Sequence, residues 1–136
     1  MVTAETLRLL ADIGFMATSN GMSGQARSIF DAIGCVRPNS VLPHIGMALN
    51  HLNLNQFQDA LDVLEKKALK IESDNPTVRA FIGMSLMLMG RNSESEKFLT
   101  PLTGSDDPLA ANLAKNLLQE LKHHADRKGV SPAAPH

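Results

Sequence analysis

Few residues in this chain have types and spacing that could do chemistry. His44 and His51 stand seven apart, two turns along one face of a helix, but no cysteine or carboxylate accompanies them at metal-ligand spacing. His123 and His124 fall in the last turn of a candidate helix, where an imidazolium suits the negative end of the macrodipole. Cys35, the single cysteine, follows a helix end at Gly34, and Arg37 is its only nearby activator; no base is matched to it. The stretch Ser19-Asn20-Gly21-Met22-Ser23-Gly24 has two glycines but neither a preceding strand nor a lysine, so it reads as a turn between helices and not as a phosphate loop. Glu65, Lys66, Lys67 and Lys70 belong to a solvated face. With no acid, base or nucleophile paired for a reaction, the chain is expected to be a non-enzyme with no cofactor and no metal.

Composition sets the frame for these residues. The 136 residues are 43% hydrophobic, 20% charged and 4% aromatic, enough for one globular domain with one core. Thirteen Lys and Arg against fourteen Asp and Glu leave a net charge of -1, which provides no footprint for nucleic acid or an anionic membrane. A single cysteine excludes an internal disulfide framework and points to a reducing compartment, the cytoplasm. The first ten residues carry acid and base, and no apolar run approaches the roughly 18 to 20 residues of a membrane span. Val, Ile and Thr are sparse beside Leu, Ala and Met, and Gly and Pro punctuate longer segments, so the expected class is all-α.

Seven helical segments follow from their boundary residues. Thr3 caps a first that stops at Asn20-Gly21, a second starts near Ser23 and ends at Gly34, and Ser40 caps a third to about Asn53. Gln56 to Ile71 form a fourth, with Asp62 and Lys66 paired at i,i+4. Asn75-Pro76 and Asp107-Pro108 are each a cap followed by proline at the first helical position; they open a fifth helix ending at Gly90 and a seventh running to about Arg127. Asn92 or Ser93 starts a short sixth. The domain is expected to span 1–128, with a proline-bearing tail, 129–136, disordered.

Small residues recur in register along these segments. Gly14 with Ala26, Ala48 with Ala60, and Gly83 with Ser95 are pairs twelve apart. Ala26, Ala60 and Ser95 are each followed four residues on by Phe30, Leu64 and Leu99, in steps of 34 and then 35. The turns at Gly21, Asn55 and Gly90 repeat the same steps, and Pro38 closes the first unit. This pattern resembles the tetratricopeptide repeat, a helix-turn-helix whose small residues let its helices approach closely. The resemblance implies an α-solenoid of three such units, about 7–40, 41–74 and 76–109, closed by a C-terminal capping helix bearing Leu109, Leu113, Leu117, Leu118 and Leu121. Two registers are open for the second unit. In one, Ala48 is the close-packed residue and His44 and His51 take places normally large and apolar. In the other, Gly46 is close-packed, Leu42, Ile45 and Leu49 are core, and the inter-helix turn is two residues longer.

In a repeat of this type the first helix of each pair lines a concave face through its second, fifth, ninth and twelfth positions. Here those are Arg8, Ala11, Phe15 and Thr18, then Leu42, Ile45, Leu49 and Leu52, then Thr77, Ala80, Met84 and Met87. A mostly apolar groove suits an amphipathic helix laid along it, and the methionines tolerate imperfectly matched ligands. The expected partner-binding residues are Phe15, Leu42, Ile45, Leu49, Leu52, Ala80, Met84 and Met87, with Ile82 and Leu86 turned inward.

A compact three-repeat chain with such a groove is similar to the repeat-containing chaperones of bacterial type III secretion systems. The turn Ser105-Asp106-Asp107-Pro108-Leu109-Ala110 resembles the one that precedes the capping helix of their needle-subunit co-chaperones. Those begin directly with a repeat, as this chain does, whereas translocator chaperones usually carry a further helical segment first. The resemblance implies a cytoplasmic protein that holds the C-terminal amphipathic helix of a small needle subunit and keeps it from polymerising. It also implies a small helical co-chaperone near the first repeat. An apolar groove left bare implies self-association of the free chain. A translocator chaperone, or an adaptor sequestering a signalling or transcriptional partner, would use the same groove.

Overall fold

The computed structural model describes residues 3–127, and every regular element among them is helical. Helices α1 (Ala4–Ser19) and α2 (Ser23–Val36) form the first hairpin. In the second, α3 (Leu42–Asn53) is followed by α4 (Phe57–Val63), a π-helical stretch (Leu64–Ala68) and a last turn, α5 (Leu69–Ile71). The third pairs α6 (Pro76–Leu88) with α7 (Asn92–Leu99) and a 3-10 turn (Thr100–Gly104), and α8 (Pro108–Arg127) closes the stack. The architecture is the helical-repeat solenoid that the spacing predicts. The tail, 129–136, lies outside the described residues.

Local chemistry sets the boundaries. Thr3 and Asn75 accept hydrogen bonds from the Thr6 and Val78 amides at 3.1 and 2.9 Å, which satisfies orphan donors at the starts of α1 and α6. Gly21, Asn55 and Gly90 sit at φ of 75°, 60° and 78°, in the left-handed region that ends a helix. After each, the chain closes in the same way: the Met22, Gln56 and Arg91 amides donate to the Ala17, His51 and Leu86 carbonyls at 2.8, 2.8 and 2.9 Å.

The close contacts assign the register. A Cβ on Gly14 would stand 2.8 Å from the Phe30 ring, and one on Gly83 2.5 Å from Leu99, so each first helix rests directly on its second. Ser95 adds a hydrogen bond to the Gly83 carbonyl at 2.7 Å. Ala48 and Ala60 are fully buried, which puts the second unit in the first of the two registers. Gly46 is also close-packed, but against Phe30 of the preceding hairpin. The hairpins are further joined by Asn53 donating to the Thr18 carbonyl at 2.8 Å and Asn50 to that of Ser23 at 3.3 Å.

The fourth helix is not the unbroken one expected over 56–71. Buried Phe30, Leu64 and Leu99 are separated by 34 and then 35 residues, whereas buried Ile33, Ala68 and Leu102 are separated by 35 and then 34. One residue is therefore inserted between Leu64 and Ala68, where the π-helical stretch lies. A wider turn absorbs it. In an unbroken α-helix the insertion would rotate everything beyond it by about 100° and put Lys67, not Ala68, into the core.

The core runs through the stack in three clusters, around Phe30 and Ile33, around Leu61, Leu64 and Ile82, and around Leu99, Leu102 and Ala114. Leu117 and Leu121 of α8 are buried and Leu113 and Leu118 pack against them, as a capping helix requires. Leu109 departs from that expectation. It is 59% exposed and, with Thr77 and Phe81 of α6, borders a hollow instead of packing into the cap.

Candidate protein-binding groove

The concave side is built from the first helix of each hairpin, and α8 bounds it. Phe15 of α1, Leu42, Ile45 and Leu49 of α3, and Phe81 of α6 surround a hollow of about 520 Å³, with Leu109 of α8 on its far wall. Val41, Asn75 and Thr77 complete the lining. A cavity of about 150 Å³ accommodates a benzene-sized group, so this one has room for roughly three apolar side chains. No charged residue lines it.

Its two polar side chains are already engaged. Asn75 caps α6 through its oxygen, and its amide group reaches Glu72 at 3.4 Å. The Thr77 hydroxyl donates to Asp107 at 3.1 Å. Asp107 also accepts from the Leu109 and Ala110 amides at 3.0 and 3.4 Å, and its own amide donates to the Ser105 hydroxyl at 3.1 Å. The Ser105-to-Ala110 turn thus ties the start of α8 to the start of α6 and holds Leu109 at the groove.

Of the eight residues expected to bind a partner, the structure brings together Phe15, Leu42, Ile45 and Leu49. Leu52 and Ala80 are buried in the core. Met84 packs between the second and third hairpins and α8, and Met87 packs against the α8 cluster. Ile82 and Leu86 are buried, as expected. The shift in the third unit has one cause: α8 lies along the Ala80, Met84 and Met87 face of α6, so the groove continues over Thr77 and Phe81, one turn apart on the neighbouring face. Val41, Phe81 and Leu109 were not anticipated. Nothing in the sequence set Leu109 apart from the other leucines of α8.

His44 and His51 face away from the groove, on the opposite side of α3. The His51 ring nitrogen Nδ1 pairs with Gln56 at 2.7 Å. Burial, and secondarily the charge of Lys67, hold the His44 pKa below its usual value. Among the described residues no three His, Cys, Asp or Glu are grouped to hold a metal ion, and no helix is long and apolar enough to cross a membrane.

No family model matches the chain, and no curated protein matches it by sequence. Solved structures do match. The type III secretion translocator chaperone SycD of Yersinia enterocolitica, in an alternative dimer, superposes with a TM-score of 0.72 at 18% identity over 93% of this chain and 97% of that one. A heterotrimeric complex that regulates type III secretion needle formation contains a chain similar at 0.70 and 17%, over 87% and 98%. SycD in complex with a peptide of the translocator YopD is similar at 0.69 and 16%, over 93% and 98%. At such identities the likeness is one of fold, a helical-repeat solenoid extending over nearly the whole of each chain.

Proposed function

We propose that this chain is a cytoplasmic chaperone of a type III secretion system that holds an amphipathic helix of a small needle-type subunit in its concave groove. The observation that carries the reading is that the groove is apolar and its two polar side chains are already hydrogen-bonded. An extended peptide buried there would leave its own N–H and C=O groups unpaired, a cost of about 1 to 3 kcal/mol each. A helix satisfies its backbone internally and needs only apolar sockets. Room for about three anchors matches the i, i+3 and i+7 positions of two helical turns. Covering those anchors keeps the subunit's own assembly surface out of reach.

The outer face of α1 supports a second partner, the small helical co-chaperone. Leu9, Ile13 and Met16 recur at helical spacing and are 61%, 45% and 63% exposed, with Glu5 and Asp12 beside them. A helix with an apolar stripe and basic flanks fits that face. A translocator cargo is the alternative, favoured by the likeness to SycD.

Co-expression with needle-type and translocator subunits from the same gene neighbourhood, followed by size-exclusion chromatography, tests the reading. The needle-type subunit should co-elute with the wild type and be lost from Leu42→Glu/Leu109→Glu. Burying two unpaired carboxylates costs several kcal/mol, or orders of magnitude in affinity. Both side chains are at least partly exposed, so the double variant should still fold. Capture of the translocator alone would transfer the groove to that cargo. Undiminished capture by the double variant would refute the groove.

A further inference from the structure

On the other side of α3, the second repeat leaves a second hollow of about 470 Å³ between α2 and α4. Phe30 and Val63 form part of its apolar wall, Arg27, His44 and Lys67 stand around it, and Asp31 is its one acidic residue. Among the described residues neither Arg27 nor Lys67 takes part in an ion pair.

The internal repeat shows what belongs in this place. Moved by the step of 35 residues, Val63 becomes Phe98 and His44 becomes Arg79. In the third repeat Phe98 is half-buried against the cluster that holds Leu64, Ala68 and Ile82, and the Arg79 guanidinium lies 5.2 Å from the centre of its ring. There the chain supplies its own aromatic side chain at this repeat position, capped by a cation. In the second repeat the ring is replaced by valine, the space is left open, and cationic side chains remain around it.

We propose that this hollow is a second protein-binding site, on the convex face, which takes one aromatic side chain of a partner segment with a carboxylate beside it. The ring supplies the volume that Val63 lacks relative to Phe98. The carboxylate answers Arg27 and Lys67, which outnumber Asp31. Because the His44 pKa is lowered, its imidazole is uncharged at neutral pH and offers the incoming ring a flat face. This site is separate from the concave groove, so it stands whichever cargo the groove holds.

The probe is N-acetyl-L-phenylalanine, which carries a ring and a carboxylate, compared with N-acetyl-L-phenylalaninamide, which has no charge. Both are titrated into the full isotope-labelled chain and followed by amide NMR. The acid should cause saturable shifts confined to the segments around 27–35, 44–51 and 63–67, and bind about two- to fivefold more tightly than the amide. Lys67→Glu should abolish that preference, and Leu109→Glu, on the concave side, should leave the binding of both probes to the convex hollow unaltered. Val63→Phe, which restores the residue of the third repeat, should remove binding of both probes and raise the melting temperature. Val63→Leu should weaken binding and serves if the larger substitution disturbs the fold. Absence of saturable shifts, shifts centred on the concave groove, equal binding of acid and amide, or undiminished binding to the Val63 variants would each overturn the proposal.

Discussion

Replacing Gly46 by alanine adds one methyl group where the first and second hairpins meet. Its Cβ would fall inside contact distance of the Cδ1, Cε1 and Cζ atoms of the Phe30 ring. That ring has little room to retreat. It is fully buried, the Phe15 ring lies 5.1 Å away centre to centre, and the same Cε1–Cζ edge is wedged against Gly14, where a Cβ would be only 2.8 Å off. Overpacking of this kind costs about 1 to 3 kcal/mol, and a trapped aromatic belongs at the upper end. Alanine returns about 0.8 to 1 kcal/mol of helix propensity. The net loss is then about 2 kcal/mol, which for a chain of this length lowers the melting temperature by roughly 6 to 10 °C. Gly34→Ala provides the control, because its Cβ would meet only Pro43, at 3.9 Å. There the propensity gain is unopposed, and the melting temperature should rise by a few degrees. Thermal denaturation followed by far-ultraviolet circular dichroism reads both variants. A Gly46→Ala protein that melts at or above the wild type, or a Gly34→Ala protein that loses as much, would refute the assigned packing of α3 on α2.

Deleting Lys66 should shorten the second repeat to 34 residues, turn the π-helical stretch into regular helix and leave the melting temperature within a few degrees of the wild type. Deleting Gln58 instead should rotate Ala60, Leu61 and Leu64 by about 100° out of the core and unfold the repeat, which the same melts would show. For His44, a folded-state pKa below the ordinary 6.5 means that the unfolded chain takes up the proton first. Stability should therefore be complete above about pH 6.5 and decline as the pH falls toward the folded value. Lys67→Gln removes the lesser cause of the shift and should raise that pKa partway, as read from the ring proton resonances.

What the sequence determined by itself about this protein is what short-range chemistry encodes. Left-handed turns call for Gly or Asn, and Gly21, Asn55 and Gly90 marked all three hairpins. Helix starts need side-chain acceptors, and Thr3, Asn75 and Asp107 marked them. Close helix contacts need small residues, so the spacing of Gly14, Ala48 and Gly83 gave away the repeat. Even the π-helical stretch was present as the change of step from 34 to 35, although its place could be read only from which side chains are buried. The lining of the groove belonged to tertiary structure. Ala80, Met84 and Met87 hold groove positions in the repeat, but α8 docks across them, and the Thr77–Asp107 bond that anchors α8 turns Leu109 and Phe81 to the concave side in their place. The convex hollow depended likewise on the volume of Val63 against that of Phe98 in neighbouring layers of the stack. Neither is encoded within a single repeat, because a 34-residue period specifies how each hairpin closes on itself, whereas the shape of a surface depends on which neighbour covers it.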